Sequence, residues 1–155
     1  MKNDDEMEVP ALAAETKRAV SCGTLVVNRQ GEILLCHVTG TQSWDIPKGV
    51  QEQGESTLEA ARRELREETG LDVEGNRFED IGDFDYRRDK RLHLYRVWVA
   101  DDLKNLQSLS CTSYYPHFHT GKMIPEVDAF RWAGRDDIRR LCWPRMANRL
   151  LSIEW

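Results

Sequence analysis

Glu64, Glu67 and Glu68 fall at i, i+3 and i+4 within the segment Thr57 to Thr69. In a helix the three carboxylates would leave from nearly one side, where their like charges repel. Two of them also lie in the last turn, where the helix macrodipole favours Lys or Arg over Glu. A divalent cation resolves both conflicts. Mg²⁺ prefers oxygen ligands, takes one or two carboxylates, and fills its other positions with water and substrate phosphates. The chemistry open to such a site is attack of activated water on a phosphorus centre. Taken alone, the helix also reads as a solvated Glu/Arg face in which Arg62, Arg63 and Arg66 pair locally with the acids.

The elements that must position these acids are legible around them. Ser56-x-x-Glu59 is a capping box at the start of the helix, and Gly70 supplies its stop. Leu58, Ala61 and Leu65 make an apolar stripe that can anchor one face on a core. Upstream, Ala19 to Val27 and Glu32 to Val38 are β-favouring runs separated by Asn28-Arg29-Gln30-Gly31, which predicts an antiparallel hairpin. Downstream, Phe78 to Tyr86 and Leu92 to Ala100 read as strands joined by the basic turn Arg87 to Arg91. Val127 to Trp132 reads as a last short strand. Pro144 opens a closing amphipathic helix with Met146, Leu150 and Ile153 on one side. The order of elements predicts an α/β protein, a mixed sheet covered by helices on both faces.

With 155 residues, 40% of them hydrophobic and 32% charged, the chain fits one domain with one core and one site. We expect a flexible tail over 1–17 and a folded domain over 18–155. No apolar run reaches the roughly 18 residues needed to span a bilayer, and the start MKNDDEMEV is acidic where a secretory leader is basic and then apolar. The expected location is cytoplasmic, with no membrane partner. A net charge of −5 argues against a broad footprint for duplex nucleic acid, yet allows a small anion held by a local basic cluster and a metal. Cys22, Cys36, Cys111 and Cys142 form no C-x-x-C pair and read as reduced thiols. His117-x-His119 near Cys111 lacks the fourth ligand and spacing of a zinc site. Ser-x-x-Lys, G-x-S-x-G and Walker-type loops are absent, so acyl-enzyme chemistry and P-loop nucleotide binding have no foothold.

Gly49, Glu55 and the run Arg63-Glu64-Leu65-Arg66-Glu67-Glu68-Thr69-Gly70-Leu71 fit the pattern G-x5-E-x7-R-E-U-x-E-E-x-G-U, in which U is bulky and apolar. This is the Nudix box, and the chain resembles the Nudix hydrolases over about residues 18–155. With nine positions specified, a chance match has odds on the order of 10⁻⁹ per starting position. The resemblance implies an α/β/α sandwich around a mixed sheet and hydrolysis of a pyrophosphate linkage with Mg²⁺ or Mn²⁺ as cofactor.

By that resemblance Glu67 and Glu68 would bind the metal, and Glu64 would bind a second ion or orient or deprotonate the attacking water. The backbone carbonyl of Lys48 would complete the metal shell. Gly49, Glu55, Arg63 and Gly70 would be structural, with Glu55 and Arg63 holding the loop against the helix. Pro125-Glu126 through Trp132 is similar to a late P-E-x-x-x-x-x-W segment of several Nudix hydrolases, where the acid holds a metal or acts as base; Glu126 joins the catalytic set. Ser43-Trp44-x-x-Pro47-x-Gly49 is similar to the approach to the box in dinucleoside polyphosphate hydrolases and bacterial RNA 5′-pyrophosphohydrolases. Trp44, Lys48, Arg87 and Arg88 are the expected substrate-binding residues, Trp44 by stacking or else as a core residue, the arginines as a phosphate clamp or else as a solvated tip. The expected partner is a nucleotide-type small molecule, a nucleoside or dinucleoside polyphosphate. Alternatives are an RNA 5′ end, a (d)NTP, or a non-catalytic module that senses a nucleotide.

Overall fold

The computed structural model describes residues 18–99, 103 and 105–155. The expected N-terminal tail, and Ala100 at the end of an expected strand, lie outside the described residues. Strand β1 (Ala19–Val27) turns into β2 (Ile33–Val38) as an antiparallel pair with Val27 opposite Ile33. Asn28 makes that turn tight, because its Oδ1 accepts from the backbone N–H groups of Gln30 at 3.0 Å and Glu32 at 2.9 Å. Gly31 takes the positive φ of 78° that the return needs.

Two short strands follow, β3 (Trp44–Asp45) and β4 (Lys48–Val50), then helix α1 (Thr57–Thr69). Strands β5 (Glu79–Arg87) and β6 (Lys90–Trp98) form the second long hairpin, and β6 runs parallel to the whole of β1, from Ala19 opposite Lys90 to Val27 opposite Trp98. The chain continues through β7 (Tyr114–Pro116), β8 (Met123–Pro125) and β9 (Val127–Ala133), and ends in α2 (Arg135–Leu141) and α3 (Pro144–Leu151). One sheet runs β3-β2-β1-β6-β5, with β4 paired to β1 and β9 paired to β2; β7 and β8 form a separate hairpin.

Strand β1 is central and apolar on both faces, as a strand covered on both sides must be. Leu25 and Val27 point into a cluster closed by Ile138, Leu141, Met146 and Leu150 of α2 and α3. Val26 packs on the opposite side with Leu34, Leu65 and Val97, while Cys22 meets Ala60 and Ala61 of α1. Helices therefore cover both faces of a mixed sheet, as the order of elements predicts. Cys22, Cys36 and Cys142 are buried free thiols, and burial pushes Cys22 and Cys142 up to about 12.

Three features depart from the sequence reading. The turn between β5 and β6 is only Arg88-Asp89, so Lys90 and Arg91 belong to β6 rather than to a basic loop. Residues 114–116, assigned to no element by the sequence reading, form β7 and pair with β8. Helix α2 has only Ile138 and Leu141 buried among seven residues, too few to display a helical period. No helix among the described residues is long and apolar enough to cross a membrane.

Candidate active site

Helix α1 is fixed at both ends by local bonds. Glu59 N–H donates to Ser56 Oγ at 3.0 Å and Ser56 N–H to Glu59 Oε1 at 2.8 Å, the reciprocal capping box read from the sequence. Gly70 closes the helix with φ of 83° and an N–H donated to the Arg66 carbonyl at 2.8 Å. Between these ends Ala60, Ala61 and Leu65 are buried against the sheet. Docking that stripe sets the helix phase, and the phase makes the three acids unequal. Glu64 and Glu68 are turned inward at 8% and 7% exposure. Glu67 keeps 34% of its side chain exposed and receives Arg63 Nη1 at 3.1 Å.

Strand β4 pairs antiparallel with the start of β1, Cys22 opposite Gly49, and so passes directly over the Glu64 carboxylate. A Cβ at Gly49 would lie 1.8 Å from Glu64 Oε2. The glycine is required by that approach and not by its backbone angles, which are not left-handed. One residue earlier, the Lys48 N–H donates to Glu68 Oε1 at 3.3 Å. The two inward acids are thus each in contact with the main chain of the Lys48-Gly49 segment.

Arg63 ties the loop to the helix. Its Nε and Nη2 donate to the two Glu55 oxygens at 2.6 and 3.0 Å, a bidentate pair, and Nη2 also reaches the Val50 carbonyl at 3.1 Å. The guanidinium holds the Glu55 carboxyl below the usual carboxylate range. Its Nη1 lies 3.4 Å from Glu64 Oε1, so one cation links the loop, Glu64 and Glu67.

Glu64, Glu68 and Glu126 line one cavity of about 680 Å³, together with Lys48 and Gly49. Glu126 stands just before β9, where Ser113 fixes it twice: the serine hydroxyl donates to Glu126 Oε1 at 2.9 Å and the serine carbonyl accepts the Glu126 N–H at 2.9 Å. Burial pushes the Glu64 carboxyl up to about 7 against the opposing pull of Arg63, with Glu67, Glu126 and Glu55 adding to the rise. Burial likewise pushes Glu68 up to about 9, and the Glu64 charge adds to it. Among the described residues no three His, Cys, Asp or Glu side chains gather closely enough to close on one point. What the cavity does offer is two inward carboxylates with few donors to satisfy them, a third on a neighbouring loop, and main chain beside them. That is a hard, oxygen-only donor set of the kind Mg²⁺ or Mn²⁺ accepts, completed by water and phosphate oxygens.

The remaining predicted residues are placed elsewhere. Trp44 is absent from the cavity wall; it meets His37 edge-on at 5.0 Å, carries Arg131 over its ring at 5.7 Å, and packs on the core. Arg87 and Arg88 are exposed and do not line the cavity. The Lys48 amine reaches the cavity but is paired with the buried Asp45 at 3.1 Å. Sequence reading passed over Asp45, and also Ser113, for which a lone serine in an unassigned loop gives no signal. Lys90, which the sequence reading grouped with the arginines of the basic turn, is half-buried at the start of β6, on the cavity wall.

The model of the NUDIX domain matches residues 17–150 of the chain. A 17.7 kDa protein of Enterobacteria phage T4, encoded in the e-segB intergenic region and itself uncharacterized, is 34% identical over 145 residues, covering 86% of this chain and 95% of its own. An RNA pyrophosphohydrolase of Hahella chejuensis is 33% identical over 126 residues, 71% of each chain. Among solved structures, an Ap4A hydrolase of C. elegans in a binary complex superposes with a TM-score of 0.60 at 17% identity, covering 85% of this chain and 95% of that one. With the complete box folded as a capped helix under a glycine-bearing strand, and the family model matching residues 17–150, the chain belongs to the Nudix superfamily of hydrolases.

Proposed function

We propose that the protein is a cytoplasmic, Mg²⁺- or Mn²⁺-dependent pyrophosphohydrolase whose substrate is a nucleoside or dinucleoside polyphosphate. The observation that carries this reading is the cavity that Glu64, Glu68 and Glu126 line, with the Lys48-Gly49 main chain beside the first two. Glu68 and Glu64, with Glu67 at the helix surface and the Lys48 carbonyl, would hold the ion. A bound divalent ion supplies charge neutralisation on the phosphates and a more acidic water. The chain's own part is to place carboxylates at fixed points. Arg63 locks the Glu55 loop to α1 and steadies Glu64, and Ser113 steadies Glu126. Glu64, with its carboxyl near neutrality, or Glu126 would take the proton of the attacking water.

A Mg²⁺-dependent screen in ¹⁸O-water over dinucleoside polyphosphates, (d)NTPs, nucleotide sugars and 5′-triphosphorylated RNA, with mass spectrometry of the products, tests the reading. Hydrolysis at a pyrophosphate linkage is the expected result, and the label identifies the phosphorus attacked. Tight nucleotide binding with no hydrolysis would instead leave a nucleotide-sensing module. The likeness to the Hahella enzyme favours a second reading, action on an RNA 5′ end. The net charge of −5 weighs against a long RNA and for a small substrate.

The same two carboxyls predict how the metal-free protein responds to pH. Glu64 and Glu68 have folded-state values of about 7 and about 9, both above the ordinary 4.5. Their contribution to stability is therefore complete below about pH 4.5 and is lost as pH rises through about 7 and then about 9. In a chelator, Tm is expected to fall between about pH 4.5 and pH 9, by about 2–4 °C for each kcal/mol lost. Added Mg²⁺ should raise Tm most at the alkaline end, where the ion no longer competes with protons. A metal-free Tm that is flat or rising over that window refutes the assignment of these acids as the buried, unsatisfied pair.

A further inference from the structure

The cavity that holds the three acids has a second set of residues on its wall: Trp143, Tyr115 and Lys90. Large apolar side chains left in water are costly unless something covers them. Trp143 is 41% exposed and Tyr115 36% exposed. Neither is exposed because its backbone is loose. Trp143 is the N-cap of α3; its carbonyl accepts the Ala147 N–H at 2.9 Å, Pro144 follows it at the first helical position, and Cys142 before it bridges to Trp44 on β3. Tyr115 is held in the middle of β7, opposite Ile124. Two aromatic side chains on rigid supports thus border the same hollow as the carboxylates.

Lys90 adds a cation with an unfavourable setting. Burial, and then the charges of Arg87 and Lys48, hold its ammonium below the usual lysine value. Its neighbour in sequence, Asp89, turns to Arg87 at 3.8 Å, and the Lys48 amine is taken by Asp45. No ion pair of the described residues engages Lys90. A half-buried lysine on the wall of a cavity, with no ion pair among the described residues, is stabilised by an anion entering that cavity.

We propose that Trp143, Tyr115 and Lys90 form a nucleoside phosphate subsite, in which a flat base packs on the two aromatic rings and Lys90 takes a phosphate oxygen. The proposal rests on the hydrolase reading for its choice of ligand class. A planar heterocycle matches two half-exposed aromatic groups, since every base presents a π-face and stacking tolerates base identity. The cavity volume of about 680 Å³ has room for one nucleoside and its phosphates. In a dinucleoside polyphosphate the second nucleoside would extend out of the cavity. Trp143 and Tyr115 are specificity residues here and take no part in proton transfer.

The test compares two ligands that cannot be hydrolysed, adenosine 5′-methylenediphosphonate and methylenediphosphonate, by calorimetry in Mg²⁺. Trp143→Ala and Tyr115→Ala are expected to weaken the adenosine compound about 10- to 100-fold and to lower its affinity relative to the base-free compound by the same factor. Trp143→Phe should recover most of the loss. Lys90→Met should weaken both ligands in parallel and leave their ratio unchanged. Equal affinities for the two ligands in the unaltered protein, or a ratio untouched by Trp143→Ala and Tyr115→Ala, overturn the subsite. Hydrolysis is scored separately on the same protein. Turnover with an unchanged ratio removes the subsite and keeps the hydrolase, whereas a base-dependent ratio without turnover keeps the subsite and removes the hydrolase.

Discussion

Glu68→Gln is expected to lower kcat on the best substrate on the order of 10³-fold while leaving the fold as stable as before, or more stable. The two halves of that result come from one fact, that Glu68 is almost wholly buried, at 7% exposure. The amide is nearly the same shape, and its oxygen can still accept the Lys48 N–H now received by Glu68 Oε1 at 3.3 Å. It cannot carry charge. Because burial and the neighbouring Glu64 charge push this carboxyl up to about 9, the metal-free protein near neutral pH already holds it protonated. Glutamine imitates that neutral form and removes the cost of ionising it at higher pH. The charge the amide lacks is the one a cation and a transferring phosphoryl group would need. Steady-state kinetics beside thermal melts in a chelator at about pH 8 read both halves. A variant with near-native kcat sinks the role given to Glu68, and a variant that loses activity together with Tm points to collapse of the site instead.

The distance between sequence and structure follows the range over which each feature is determined. The box helix was legible because everything that makes it is local: a capping box at Ser56 and Glu59, a stripe of Leu58, Ala61 and Leu65, and a stop at Gly70. Its acids share a side by spacing alone. Their unequal burial was not legible, since it depends on how deeply Ala60, Ala61 and Leu65 sink into the sheet, a property of the partner as much as of the helix. The role implied for Glu126 required its neighbourhood, and the structure supplies it through Ser113, thirteen residues upstream in a loop without periodicity. Trp44, read as a stacking or else a core residue, packs on the core. Its sequence setting resembles a substrate-facing approach, yet β3 is two residues long and pairs with β2 on one side and bridges to Cys142 on the other, which carries the indole onto His37 and off the cavity wall. One of the two aromatics that border the cavity, Trp143, precedes a proline at a helix start, and nothing in that dipeptide says which surface the helix end will face. The predicted basic turn, Arg87 to Arg91, is three residues longer than the one that forms. With the turn confined to Arg88-Asp89, Lys90 falls within a strand and onto the cavity wall, while Arg87 and Arg88 stay outside it.

Gly49→Ala is expected to cost both activity and stability, and the cost should be traceable to a single contact. The added methyl carbon would lie 1.8 Å from Glu64 Oε2, 2.1 Å from Cδ and 2.2 Å from Oε1, so the carboxylate cannot stay where it is. Either Glu64 swings away from its place beside Arg63 or β4 lifts off α1, and with β4 goes the Lys48 N–H that meets Glu68. Overpacking of this kind costs about 1–3 kcal/mol. A displacement of about 1 Å at reacting groups costs on the order of 10²-fold in kcat. Gly134→Ala is the matched control: its φ is −85° and nothing lies within 4 Å of the built Cβ, so Tm and kcat should hardly move. The decisive comparison is a double-mutant cycle with Glu64→Ala. Removing the Glu64 carboxylate removes the atoms the new methyl would strike, so Gly49→Ala should be nearly neutral in that background, or slightly stabilising through the unfolded chain. An equal loss of Tm in both backgrounds would show that the glycine is needed for the backbone of β4 rather than for the acid beneath it.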